Sequence, residues 1–311
     1  MRPQICWKDS NRSTMRTYLC VLRMLCIVAL CLNGLPSMAQ KFHVGLFGGA
    51  SAYSGDLVDR IFPKKQTYAV LGITGNYELS DHFMLRTGFT MTHISGADRL
   101  SNDTVLVKRN LSFDSRIWEA SLMGEFYLLD LNTSRLSPYL FAGLALYHFN
   151  PYTFDQNEVK VFLKPLSTEG EGLAGYPNSQ PYSLIQMAIP LGGGFKFAIN
   201  ENVRVGLEAG IRKLFTDYLD DLSTAYADPA DLLASRGQQS VDLSYRGDEV
   251  AGGDPLYPAK GAQRGGATNR DYYYFAGMHL TFRLGGETPE TRSLPGKRGH
   301  KSRLGCPANI Y

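Results

Sequence analysis

Cysteine is scarce where it would matter. The chain of 311 residues has five cysteines, and four of them (Cys6, Cys20, Cys26, Cys31) crowd the N-terminus. If that segment is a removed leader, only Cys306 remains, which excludes an internal disulfide and suggests a free thiol or an intermolecular bond. Cysteine and histidine show no metal-type spacing, so neither a zinc site nor a cofactor is expected. The net charge is only +3, too small a cationic excess to suggest nucleic acid as a partner. Apolar runs are short. The clearest, Met24 to Leu32, cannot span a bilayer as a helix. With 44% hydrophobic and 20% charged residues the composition is that of an ordinary globular protein. It does not exclude a membrane barrel, because only alternate barrel residues face lipid.

The same short run reads as an address. Arg16 and Arg23 precede it, Gly34 and Pro36 follow, and Ser37-Met38-Ala39 supplies small residues for cleavage. This pattern predicts a signal peptide over residues 1–39, with Gln40 first in the mature chain and Met15 as an alternative start. A retained anchor is the competing reading, and the run is short for one. The cleavage position lacks the cysteine that a lipoprotein needs.

What is abundant is alternation. From Val203 to Arg212, Val203, Val205, Leu207, Ala209 and Ile211 alternate with polar or small residues. A period of two places the two sets on opposite faces of a strand. Eight such stretches occur, near 42–50, 68–79, 82–93, 113–129, 135–149, 183–199, 203–212 and 271–284. In the fifth, both faces are apolar, so its register is open. The gaps alternate long and short. Ser80-Asp81, Asp130 to Ser134 and Asn200-Glu201-Asn202 are tight polar turns. The four other gaps are long, and the last carries many Asp, Arg, Gly and Gln residues. The pattern predicts an all-β fold. It is an eight-stranded antiparallel up-and-down transmembrane barrel over 40–285, with four long extracellular loops and three short periplasmic turns. A soluble lipocalin-like barrel is the main competitor.

If the apolar faces meet lipid, the polar faces line the lumen. They would carry Glu78, Glu119, Glu125 and Glu208 with Arg86, Lys196, Arg204, Arg212 and Arg283. An eight-stranded barrel is just wide enough for side chains to fill, and buried charges must pair. A salt-bridged plug is therefore expected rather than a selective pore. His93, Ser95 and His148 lie at loop ends of strands, but no base–orienter pair is fixed among them, so no catalytic site is expected. Asp217, Asp220 and Asp221 form an acidic run that suits a solvated loop better than a Ca²⁺ site, because the ligand spacing is wrong. Residues 286–311 lose the strand period and carry Lys297, Arg298, Lys301 and Arg303 beside Cys306. They read as a basic periplasmic tail, either a loose end or a contact for an acidic partner.

Several segments together resemble one family. They are Tyr53-Ser54-Gly55-Asp56-Leu57, Ser137-Pro138-Tyr139-Leu140-Phe141-Ala142-Gly143, Ile189-Pro190-Leu191-Gly192-Gly193-Gly194-Phe195-Lys196 and Arg270-Asp271-Tyr272-Tyr273-Tyr274-Phe275-Ala276-Gly277, with Cys306-Pro307. The most specific segment is Phe215-Thr216-Asp217-Tyr218-Leu219-Asp220-Asp221-Leu222-Ser223, whose loop motif is Asp217, Tyr218, Asp220 and Asp221. The set is similar to the small outer-membrane barrels of Bacteroidetes-type bacteria that include PorG, a type IX secretion component, and relatives of unassigned role. The resemblance implies a non-enzymatic protein of the outer membrane, in contact with outer-membrane lipid and with the periplasmic ring formed by the lipoprotein PorK and its partner PorN. It brings no catalytic residues. An adhesive or ligand-binding barrel acting through its long loops is the alternative.

Overall fold

The computed structural model describes residues 41–58, 63–130, 133–177, 179–266 and 271–284. The expected signal peptide and the tail residues Lys297, Arg298, Lys301, Arg303 and Cys306 lie outside the described residues. Among those described, the strands in chain order are β1 (Phe42–Ser54), β2 (Thr67–Glu78), β3 (Phe83–Ala97), β4 (Ser112–Tyr127), β5 (Leu136–His148), β6 (Tyr152–Phe154), β7 (Lys160–Phe162), β8 (Ile185–Ala198), β9 (Val203–Leu214) and β10 (Tyr272–Leu284). All but β6 and β7 form a closed antiparallel up-and-down barrel of eight strands. Each wall strand pairs with the next, and β1 closes on β10 from Phe42↔Leu284 to Ser54↔Tyr272. The short β6–β7 hairpin rises from the third loop and touches β4 at Asp114↔Tyr152.

The tight connections sit together at one end. Ser80 Oγ accepts from the Phe83 amide at 3.1 Å, and Asn200 Oδ1 accepts from the Asn202 and Val203 amides at 2.8 Å. Such side-chain-to-backbone bonds are what Ser and Asn bring to turns. The other end carries the long loops. They fold into α1 (Thr104–Arg109), α2 (Pro229–Arg236) and α3 (Gln238–Ser244), with the β6–β7 hairpin and short 3₁₀ turns. Asp103 caps α1 and Asp228 caps α2, each through a carboxylate accepting an amide of the first turn.

The wall is inside out. Along β4, Trp118, Leu122 and Phe126 point outward and are exposed, while Glu119, Met123, Glu125 and Tyr127 point inward and are buried. Every wall strand adds exposed apolar residues to the outer surface, among them Leu46, Leu71, Phe89, Leu144, Phe195, Leu207 and Met278. Water does not sustain a continuous belt of this kind, and a bilayer does. No helix among the described residues is long and apolar enough to cross a membrane, so the strands are the elements that span it.

In β5 the aromatic face turns inward. Tyr139, Phe141 and Tyr147 are buried, and Leu140, Leu144 and Leu146 are 61%, 56% and 55% exposed. The reason lies on the neighbouring strands. Phe141 pairs with Gly192, Gly192 pairs with Gly210, and a Cβ at either glycine would fall within 2.6 Å of the Phe141 ring. The two glycines form the notch that holds this ring in the lumen.

β1 and β3 run beyond their expected ends, to Ser54 and Ala97. Their last residues are nearly all buried regardless of face, because loops cover both sides there. Alternation vanishes although the strand continues. β9 stops at Leu214, because the chain then turns across the barrel mouth and buries Leu219 and Leu222. One apolar cluster consequently runs from Phe47 and Phe275 in mid-barrel, through Tyr53, Ile94 and Phe113, to Leu219, Leu222 and Leu243 in the loops. Barrel mouth and loop cap share a core.

Candidate functional site

The lumen charges form three groups. Nearest the turns, Glu78 meets Arg204 at 2.8 Å, His43 at 2.9 Å and Arg283 at 3.3 Å. Above it, Arg86 Nη1 lies 2.6 Å from Glu208 and 3.0 Å from Glu125. Lys196 Nζ meets the same Glu125 at 3.0 Å and donates to the Tyr127 hydroxyl at 2.5 Å. Tyr127 in turn donates to Glu125, and Tyr139 donates to Glu208 at 2.7 Å. Arg86 Nη1 also donates to His279 Nε2 at 2.8 Å. Toward the loops, Glu119 accepts from Arg212 Nε at 3.3 Å and from the Tyr273 hydroxyl at 2.6 Å, and the Arg212 guanidinium lies 3.8 Å over the Phe275 ring.

Arg86 and Glu125 are 0% exposed, and Arg86 is among the largest fully buried side chains. Each carboxylate therefore sits against a cation with hydroxyl or imidazole support, which buried charges require. His43, Tyr127, Tyr139, Tyr273 and His279 belong to these groups too. Their inward positions in the alternation were the signal for them, because a buried polar partner must share the face of the charge it serves. Met84, Met123 and Phe141 fill the space around the central group. The lumen is packed, as the width of an eight-stranded barrel dictates.

The acidic run of the fourth loop is buried, which corrects the expected solvated loop. Asp220 and Asp221 are buried, Tyr218 stacks on Tyr182 with ring centroids 5.0 Å apart, and Asp217 accepts from the Ser223 hydroxyl at 3.0 Å. The two adjacent carboxylates diverge. Asp221 takes the Thr168 and Tyr182 hydroxyls, both at 2.6 Å. Asp220 takes the Leu222 amide at 3.0 Å and the Tyr53 hydroxyl at 2.5 Å. Diverging carboxylates do not chelate, and no group of residues that could hold a metal ion occurs among the described residues. The run is a lid whose leucines point into the barrel core and whose acids tie it to neighbouring loops.

Tyr53 joins two acids, because its hydroxyl also lies 3.0 Å from Asp271. A phenol has one proton to give. Burial pushes the Asp220 and Asp271 carboxyls well up; Asp271 and Asp56 add repulsion at Asp220, as Asp217 does at Asp271. Both effects favour a proton held by the pair. Asp221 is raised to about 6 by burial, with Arg264 opposing, and Glu171 to about 8 by burial and the charges of Asp221 and Glu169. Arg264 braces this end by donating to Glu169 at 3.2 Å and to the Asp221 carbonyl at 2.7 Å. Glu169 also accepts the Ser223 and Thr224 amides at 3.0 and 2.9 Å. Arg109 forks onto Asp98 with two bonds of 2.7 Å.

Outside the wall, near the loops, His93 does have an orienting partner: its Nε2 lies 2.7 Å from Asp114. Ser95 is not given to that imidazole as a nucleophile would be. Its hydroxyl pairs with the Tyr68 hydroxyl at 2.7 Å, and the Tyr68 ring packs edge-on against His93. His148 stands apart on β5, opposite Trp118 and Ile185.

A family described as a domain of unknown function, DUF6089, matches residues 22–168. No curated protein matches the chain. Solved structures similar to it include Neisserial surface protein A (11% identity, 78% of this chain and 97% of that one, TM-score 0.38). Others are OprG from Pseudomonas aeruginosa (12% identity, 78% and 97%, TM-score 0.37) and the attachment invasion locus protein Ail of Yersinia pestis (10% identity, 78% and 97%, TM-score 0.36).

Proposed function

We propose that this chain is a sealed, non-enzymatic barrel of the bacterial outer membrane that works as an anchor, holding a folded cap on one side and a docking end on the other. The observation that supports this most is the filled lumen. Arg86, Glu125, Glu208 and Lys196 are buried in the bore and pair with one another, as the side chains of a closed lumen would. A barrel that passes nothing through itself acts through its ends. In this reading residues 1–39 are a cleaved export signal. The turns, the start of the first wall strand, the end of the last and residues 286–311 then face the periplasm, where short turns of such barrels lie.

The resemblance to PorG-like barrels supplies the finer proposal: assembly of the type IX secretion system, with ring proteins of the PorK and PorN type as partners. The basic residues Lys297, Arg298, Lys301 and Arg303 are the proposed contact. Crosslinking in intact cells, followed by mass spectrometry of a tagged copy, tests this. Recovery of ring proteins that falls when residues 286–311 are deleted is the expected result. Unchanged recovery after that deletion removes the tail from the proposal, and absence of ring proteins removes the secretion role.

A second reading has one observation in its favour. The long loops fold into a cap that continues the barrel core, as a receptor surface would. Grafting short linkers in place of the loops should spare secretion under the first reading and abolish surface binding under the second.

A further inference from the structure

Among the described residues, the cap contains a cavity that the anchoring role does not use. It is about 320 Å³ and is lined by Lys164, Pro165, Ser167, Glu171, Pro181, Tyr182 and Arg236. That size falls at the lower end of small-ligand sites. Pro165, Pro181 and the Tyr182 ring give it apolar walls. Glu171 is 3% exposed, and only its Oε2 is engaged, by the Glu169 amide at 3.2 Å. Glu171 Oε1 is buried with no hydrogen-bond partner among the described residues. A buried carboxyl oxygen left bare costs about 1–3 kcal/mol, and the fold has not spent a nearby donor on it. Arg264, a buried cation of this part of the cap, is committed to Glu169, Asp221 and Ser244.

The remaining polar lining has the opposite sign. Lys164 stands 5.9 Å over the Tyr182 ring, and Arg236 donates only its Nε, to Ser167 at 3.2 Å. The cavity thus offers an acceptor in its wall and two cations beside it.

We infer that this cavity binds a small zwitterion, an amino acid or short peptide with free ends, whose ammonium sits on Glu171 and whose carboxylate sits between Lys164 and Arg236. The apolar walls accommodate a short carbon backbone, and an acid lining the cavity together with two cations disfavours a ligand of one sign. An ammonium arriving at Glu171 ionises that carboxyl, so binding releases protons at pH 7. This goes beyond the anchoring role and does not depend on it.

The full-length protein in detergent micelles, titrated calorimetrically with trialanine, tests the inference. Trialanine should bind and release protons, seen as a heat that changes with buffer ionisation enthalpy. N-acetyl-trialanine should bind at least tenfold more weakly, as should trialanine to the Glu171→Gln protein. Trialanine amide should lose affinity similarly, and Lys164→Ala with Arg236→Ala should reproduce that loss. Heat-modified gel mobility confirms that each variant is folded. No binding of trialanine to the folded wild-type protein overturns the inference. Binding that is indifferent to Glu171→Gln and to both end blocks overturns it equally.

Discussion

At the turn end of the barrel Glu78 faces Arg204, Arg283 and His43; at the loop end Asp220 and Asp271 face each other across the single hydroxyl of Tyr53. Both sets are buried, yet they are solved differently. The lumen balances charge with charge, and its carboxylates lean on arginine and lysine. The cap pairs Glu169 and Asp98 with Arg264 and Arg109, but it holds Asp220, Asp221 and Asp271 through amides and hydroxyls. The lumen is consequently built to keep one arrangement, and the cap carries acids that burial shifts upward. Four ways of breaking or sharpening this contrast follow, beginning with the lumen and ending at the surface.

Removing the central cation should do most damage. Arg86→Ala leaves Glu125 and Glu208 facing each other, and breaking a buried ion pair costs about 3–5 kcal/mol. Urea unfolding in lipid vesicles, followed by Trp118 fluorescence and gel mobility, should show a markedly lower midpoint. Arg86→Met combined with Glu208→Leu should recover much of the loss, because a well-packed apolar pair replaces a buried ionic one at little cost.

A smaller and local effect is expected in the cap. Tyr53→Phe removes the donor shared by Asp220 and Asp271, worth about 1 kcal/mol net. Hydrogen exchange at the amides of 219–222 should quicken, with the β4 amides near Glu125 unchanged.

The pH response should be confined to the cap. Asp221 and Glu171 are raised from ordinary values of 3.8 and 4.5 to about 6 and about 8. For acids raised by folding, the stabilisation is complete below the ordinary value and is lost as pH climbs through the folded one. Cap stability should therefore decline between about pH 4 and 8. Limited proteolysis within 215–266 should run faster at high pH, and Asp221→Asn should flatten the profile.

The least effect is expected from Lys260→Ala. Its bond to Asp231 at 3.2 Å joins two half-exposed side chains, and such surface pairs contribute little. An unchanged unfolding midpoint is the expected result.

Sequence and structure agree best where a two-residue period operates. Val203 to Arg212 read as a strand because lipid on one side and packed charge on the other select opposite residues at every step. The same logic put Glu78, Arg86, Glu125, Lys196 and Glu208 on inward faces, but it could not group them, since grouping depends on the stagger between strands. β5 was ambiguous because its inward face is aromatic, and only the glycines of β8 and β9 show where Phe141 goes. Asp220 and Asp221 misled for a related reason. Acidic residues in a loop usually meet water, and the leucines that drag this segment into the barrel mouth are scattered among them. The cap helices carry no long period, and the fit between distant loops, such as Glu169 with Thr224, is invisible before folding.

The central claim is that charge pairing seals the lumen, and single-channel recording tests it most directly. Purified protein reconstituted in a planar bilayer should give no unitary current steps at either polarity, with folded insertion verified by gel mobility. Reproducible ohmic steps from the folded wild-type protein would contradict the seal and return the lumen charges to the role of a selective pore.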